Sequence, residues 1–398
     1  MKRICILLVM AGLAALGANA QTVTGSGVMA GAVVVNCDQG QSLNSTLSRL
    51  DKHSPVTVLV KGTCTEFVQV NGFEGLTLKG LPGATLQQPS TDPGNGLIIQ
   101  VLLIEASRSI TIDGFAIHSK ASALWDIGIG RNSIDVQFRN LTVDGPSAFG
   151  IFVYESSQVS LARVTARDPG FATVGVVDVS DVHIESCLFE NSTGALWHEG
   201  LFIGSGHVTM QTTTIRNMQV GIDIGKSGNV DIQSFSSYFP ISMPTDVIIE
   251  SPAGTNFYGV SVGSGSVLGL GDTKLRIINP GPPWGGNTAG VFVSDGGTLT
   301  AGANLVISGS QGQGVFVSNN SHASLAGSSI TGSGHGGLVA ANLSTISVAT
   351  SNPLTLVGGN KTDLFCDSKS VITGSANLGG VPSVSCGNLL PGDTEPLP

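Results

Sequence analysis

The stretch Gly150–Ser157, G-I-F-V-Y-E-S-S, decides the fold, because versions of it return down the chain. Copies begin at Gly150, Gly175, Gly200, Gly221, Gly259, Gly290, Gly314 and Gly337, with a degenerate one at Asp126. Successive starts lie 24, 25, 25, 21, 38, 31, 24 and 23 residues apart. Strand chemistry repeating at such a period marks a solenoid, whose unit buries its apolar face only when a neighbour stacks on it. Alternation within a copy orients the side chains: Ile151 and Val153 in, Phe152 out; Ile222 and Ile224 in, Asp223 out; Val315 and Val317 in, Phe316 out. A second β run follows, as at Val159–Leu161, Val182–Ile184 and Val208–Met210, and then a third, as at Leu141–Val143 and Leu305–Ile307. Three short runs joined by Gly, Ser and Asn turns describe a triangular coil of parallel sheets. About a dozen turns stacked about 4.8 Å apart would make a rod about 55 Å long.

From about Val56 to Gly374 this pattern resembles the right-handed parallel β-helix proteins of the pectate-lyase-like group. The resemblance implies an all-β, single-stranded right-handed parallel β-helix and, by analogy of fold, work on carbohydrate. In the similar polygalacturonases N-T-D precedes G-[IF]-D-[IV], and D-D and G-H-G follow. Here Gly221-Ile222-Asp223-Ile224 matches, but Met218-Gln219-Val220 stands in place of N-T-D and no D-D pair follows. His198-Glu199-Gly200 and Gly334-His335-Gly336 do not restore the order, and Arg163, Arg167 and Pro169 only loosely echo the R-x-P-x-x-R of pectate lyases. No catalytic residue carries over.

The first 20 residues read as Lys2-Arg3, an apolar run Ile4–Leu16 and a small-residue end, the pattern of a signal peptide cleaved after Ala20. Export to the extracellular space or periplasm is therefore expected. Of six cysteines, Cys5 lies in this leader; Cys37/Cys64 and Cys366/Cys386 are sequence-local pairs read as disulfides at the two ends of the coil. Cys187 reads as a buried thiol. Only 11% of residues are charged and the net charge is −9, which removes the electrostatic basis for binding nucleic acid or an anionic membrane. A monomer is expected, with no cofactor or metal motif, although clustered acids could accept Ca²⁺.

Residues 21–55 read as an N-terminal cap with Leu43, Leu47 and Leu50 on a short helix, 56–374 as the coil, and 375–398 as a C-terminal cap and disordered tail. Insertions fall at 234–257 and 280–288, where surface loops are expected. Asn319-Asn320, Asn342 and Asn360 read as turn residues adopting the left-handed conformation or stacking as an amide ladder.

Charge concentrates between Glu155 and Glu199, where nine charged side chains and two histidines fall in 45 residues. If neighbouring rungs bring them together, Arg163, Asp178 and Glu185, with Asp223 from the outward ladder, are the candidate catalytic groups: a base for lyase chemistry, paired carboxylates for hydrolysis. Solvated turn residues are the alternative. Trp125, Phe149, Phe171, Trp197, Tyr258 and Trp284 each fall just before a first strand, so a regular coil would bring them to one long edge where sugar rings can stack; Trp125, Trp197, Tyr258 and Trp284 are the candidate substrate-binding residues. The favoured reading is a secreted β-helix binding extracellular polysaccharide or another glycan. A carbohydrate-active enzyme, lyase more than hydrolase, and a structural or adhesive rod are the alternatives.

Overall fold

The computed structural model describes residues 32–89, 100–120, 123–145, 147–192, 198–233, 246–251, 258–280, 288–348, 355–367, 369–374, 376–379 and 384–386. The leader, the tail, Trp197, Trp284 and most of both insertions lie outside these. Two sheets wind as one coil: a front sheet of 13 strands, and a back sheet of 25 strands that bends at a corner so that each turn contributes two runs to it. The paired strands are parallel and consecutive rungs are adjacent, from Val68–Asn71 to Val384–Cys386 in the front sheet. At about 4.8 Å per rung the front face runs about 58 Å.

Alternation works as the sequence implies. Ile151, Val153, Ile222, Ile224, Val315 and Val317 are wholly buried in one continuous core, while Phe152, Asp223 and Phe316 point outward. The repeat glycine has a steric origin. At Gly290 a side chain would come within 2.6 Å of Ile307 Cγ2 on the facing back strand and 2.7 Å of the Gly314 carbonyl, and Gly221 meets Ile249 in the same way. On these turns the corner has no room for a Cβ.

Where the front sheet turns into the back sheet, two successive residues take the left-handed conformation, as at Arg131-Asn132, Glu155-Ser156, Asp178-Val179, Asn319-Asn320 and Asn342-Leu343. These turns stack through main-chain bonds such as Ser156 N–H to Asp178 C=O at 3.0 Å and Asn320 N–H to Asn342 C=O at 3.0 Å. Asn342 also donates to Asn319 and Asn319 to Asp295, an amide ladder of the expected kind. Asn360 serves otherwise, accepting from Ser333 N–H. Just inside the turn runs a buried serine ladder: Ser107, Ser133 and Ser157 N–H donate to the hydroxyls of Ser133, Ser157 and Ser180 on the next rungs.

Both disulfides, Cys37–Cys64 and Cys366–Cys386, are formed, and Cys187 is a buried free thiol. Helix α1 (Leu43–Leu47) buries Leu43 and Leu47 over the end of the coil, with Leu50 partly buried beside them. Ser42 caps it, and the Glu66 carboxylate accepts from Leu43 N–H at 2.6 Å and Asn44 N–H at 3.1 Å. Two boundaries differ from those expected. Val33–Asn36 already pairs with Val56–Lys61, so the back sheet begins inside the segment read as a cap. Ala376–Gly379 and Val384–Cys386 still pair with the preceding turn, so the coil runs past 374. Short runs of three or four residues without a glycine start escape the repeat pattern, and so both were missed.

Candidate functional site on the front sheet

The charged stretch does not converge. Asp178 is an exposed residue of a left-handed turn, and Glu185 ends the back strand Asp181–Glu185, about 13 Å of strand beyond. Arg163 sits in left-handed conformation at the corner between back runs, its Nε donating to Asn140 Oδ1 at 2.7 Å while Asn140 donates to Asp113. His183 is on the outer side of the back sheet with its Nδ1 3.1 Å from Thr209 Oγ1; burial lowers its pKa. Asp223 alone of the four candidate catalytic residues belongs to the front sheet. Rung spacing brings side chains together along one ladder or between neighbouring ladders of one face, and these residues stand on a corner, a turn, a back strand and the front sheet. Other members of the stretch form ion pairs instead. Asp144, Arg167, Glu190, Arg216 and Glu250 are successive partners along the back sheet, with His118 before them, so charge alternates in sign from rung to rung. Arg167 Nε lies 3.3 Å from Glu190, Arg216 lies 3.7 Å from Glu190 and also pairs with Glu250, and His118 pairs with Asp144.

The front face gathers a different set. One outward ladder runs Trp125, Phe149, Ala172, Glu199, Val220, Tyr258, Ala289, Gln313. The other runs Leu103, Gly128, Phe152, Gly175, Phe202, Asp223, Ser261, Phe292, Phe316, Val339. The copy beginning at Gly175 is displaced by two residues: Thr173 is the partner of Gly150, and Gly175 itself is the partner of Phe152. Glycine is needed at 175 for another reason: a Cβ there would lie 2.7 Å from the Phe152 ring and 2.8 Å from Phe149. Both rings thus lie over Gly175.

The expected aromatic edge is a face. Trp125 stacks on Phe152 at 5.1 Å, Phe149 approaches Phe152 at 4.7 Å and Phe171 at 5.3 Å, and Phe171 meets Phe202 at 5.7 Å. A second group follows, Tyr258 stacked on Phe292 at 5.0 Å and Phe292 against Phe316 at 5.3 Å. Tyr154 joins the first group, its phenol pushed up to about 12 by burial and by the charges of Glu105 and Glu155.

Between the two groups lie Glu199 and Asp223, on consecutive strands Glu199–Gly204 and Val220–Gly225. Burial raises Glu199 to about 8, with a further push from the Asp223 charge. Asp223 is also raised by burial, partly offset by a hydrogen bond from Ser261. Lys226, three residues beyond Asp223, stands exposed on the following left-handed turn and forms no ion pair among the described residues. Sequence reasoning counted Glu199 among the cluster's charges without selecting it; it set Phe316 facing outward without giving it a role, and it did not single out Phe202 or Phe292. Outward alternation in the G-x-F-x copies was the available signal.

Among the described residues the one grouping with metal-ligand spacing is Cys37, Cys64 and Glu66, whose sulfurs are joined in the disulfide and whose carboxylate caps α1. No helix among them is long and apolar enough to cross a membrane.

Residues 100–236 match the family model described as the right handed beta helix region. No curated protein matches the chain. Among solved structures it is similar to PfbA, a surface adhesin of Streptococcus pneumoniae, with 13% identity and a TM-score of 0.42 over 83% of this chain and 88% of that one. It is also similar to an alginate lyase from Paenibacillus sp. str. FPU-7, with 12% identity and a TM-score of 0.36 over 89% and 99%. A pectin methylesterase from carrot is matched at 9% identity and a TM-score of 0.30 over 75% and 85%. Likenesses this weak carry nothing about activity. With two parallel sheets wound rung upon rung and the matched region lying inside them, the chain folds as a right-handed parallel β-helix.

Proposed function

We propose that the protein is exported by its first twenty residues and binds an extended glycan along the outward face of its front sheet. The observation that carries this reading is the row of rings on the two outward ladders, from Trp125 through Phe202 and from Tyr258 through Phe316. Flat apolar faces side by side at rung spacing suit the C–H faces of successive sugars, and Gln313, Ser261 and the two carboxyls supply hydroxyl partners. The rings are half-buried by one another, so they are held in place before ligand arrives and little ordering cost attends binding. The two disulfides fit an oxidising destination.

Affinity electrophoresis of the disulfide-intact protein through gels containing xylan, mixed-linkage glucan, galactomannan, polygalacturonate or alginate tests the reading. Retardation by at least one is expected, with Trp125→Ala and Phe316→Ala each weakening it about tenfold while the melting transition is kept. Unchanged migration in every gel, or retardation indifferent to both substitutions, would remove it.

A further inference from the structure

We propose that Glu199 and Asp223 are the acid and base of a hydrolytic site that cleaves a glycosidic bond in a neutral glycan lying along the front face. The proposal rests on the binding reading above and names its substrate class and chemistry. Geometry comes first. On the two outward ladders from 103 to 339, Glu199 and Asp223 are the carboxyls, on adjacent rungs, with Phe202 directly opposite Asp223 on one side and Tyr258 following Val220 on the other. A chain stacked on both ring groups must therefore pass over them. Glu199 Oε2 is buried and has no hydrogen-bond partner among the described residues, an unmet polar atom that a ligand hydroxyl or glycosidic oxygen would satisfy. Asp223 receives the Ser261 hydroxyl, which favours its charged form. One proton shared unequally between two such carboxyls is the condition for acid and base work at one pH.

Register also bears on the route. Glu199 is paired with Val220, three residues before Asp223, so the two backbones are offset by about 10 Å along the strands. That spacing leaves room for a water between the carboxyls, as direct displacement requires. Glu199 gives its proton to the glycosidic oxygen as the bond to the anomeric carbon breaks. Asp223 takes a proton from water as the water oxygen bonds to that carbon. One water is consumed, two hydroxyl ends appear, and Asp223 returns its proton through solvent to Glu199.

The substrate class follows from charge. Neither outward ladder carries a lysine or arginine, so nothing on them would pair with a uronate carboxylate, while Asp223 and a net charge of −9 would repel it. The glycan is neutral.

The test uses the full mature protein, Glu199→Gln and Asp223→Asn, with the same polysaccharides, scoring retardation and new reducing ends together. The expected result is retardation by a neutral polysaccharide and release of reducing ends from it, with that release lost about a hundredfold or more in each variant while retardation, carried mainly by the rings, falls far less. Retardation without reducing ends would overturn the hydrolytic pair and leave the binding reading standing. No retardation by any polysaccharide would overturn both, and stronger retardation by polygalacturonate or alginate than by neutral chains would overturn the substrate class. Carbon-13 titration of the side-chain carboxyls gives a readout free of substrate: Glu199 with a midpoint near 8, falling in Asp223→Asn, is expected. An ordinary carboxylate midpoint, or one indifferent to Asp223, would sink the pair.

Discussion

Asp126 stands at the corner position that Gly150 fills on the next rung, as the pairings of Trp125 with Phe149 and Ile127 with Ile151 fix. A carboxyl therefore stands where most turns have glycine; it is 1% exposed, and burial pushes it up to about 8. The consequence for stability has a definite sign. Unfolded, the group titrates near 4; folded, near 8, so between these values the native state holds more proton and stability falls as pH rises, by up to about 1.4 kcal/mol per unit. Asp126→Asn should remove that part of the slope and raise stability at pH 8 while changing little at pH 4. Urea unfolding at pH 5 and 8 is the check, and an equal slope in variant and parent would refute the assignment. Asp126 was legible only as a flaw in the repeat, since one letter out of pattern does not disclose whether the side chain turns in or out. Glu199 was harder to see: its neighbour Asp223 is brought beside it by the coil and not by the sequence.

Ladders are the unit one level up, and here spacing alone misled. A period of about two dozen residues tells which rung a residue occupies but not which face, because a shift of a few residues along a turn carries it round a corner. So Arg163, Asp178 and Glu185, close in sequence, separate onto a corner, a turn and a back strand. Phe152 and Phe316 were readable because strict alternation fixed their side. In the charge ladder Glu190 holds two arginines with a side chain only 18% exposed. Glu190→Gln should lower stability by about 1–2 kcal/mol, and Glu190→Lys, which sets three cations in a row, by more. The effect should shrink in 1 M salt; equal losses at low and high salt would argue for packing as the cause.

As a whole the molecule is close to one-dimensional: each turn touches its neighbours, and the ends have only one neighbour apiece. That makes the ends the places where a cross-link matters. Cys37 and Cys64, 27 residues apart, tie the first back strand and helix α1 to the coil. Replacing both by serine should cost about 3 kcal/mol locally. Hydrogen exchange should then quicken in Val33–Asn36 and Val56–Lys61 while the turns around Ala289–Val293 keep their protection; uniform quickening would show that the coil unfolds as a single block. This scale was the most legible. Eight glycine starts and two cysteine pairs told the architecture, because the same corner clash and the same end problem recur and leave the same mark each time.

The alternation of sign from Asp144 to Glu250 carries a rule of parity. Excise the one turn bearing Arg167 and Asp144 comes to rest beside Glu190, acid on acid; excise two and Asp144 meets Arg216, and the alternation closes again. Along this part of the rod, turns can be lost or gained in pairs at little electrostatic cost and singly only against repulsion, so the side-chain code counts in twos although the backbone counts in ones.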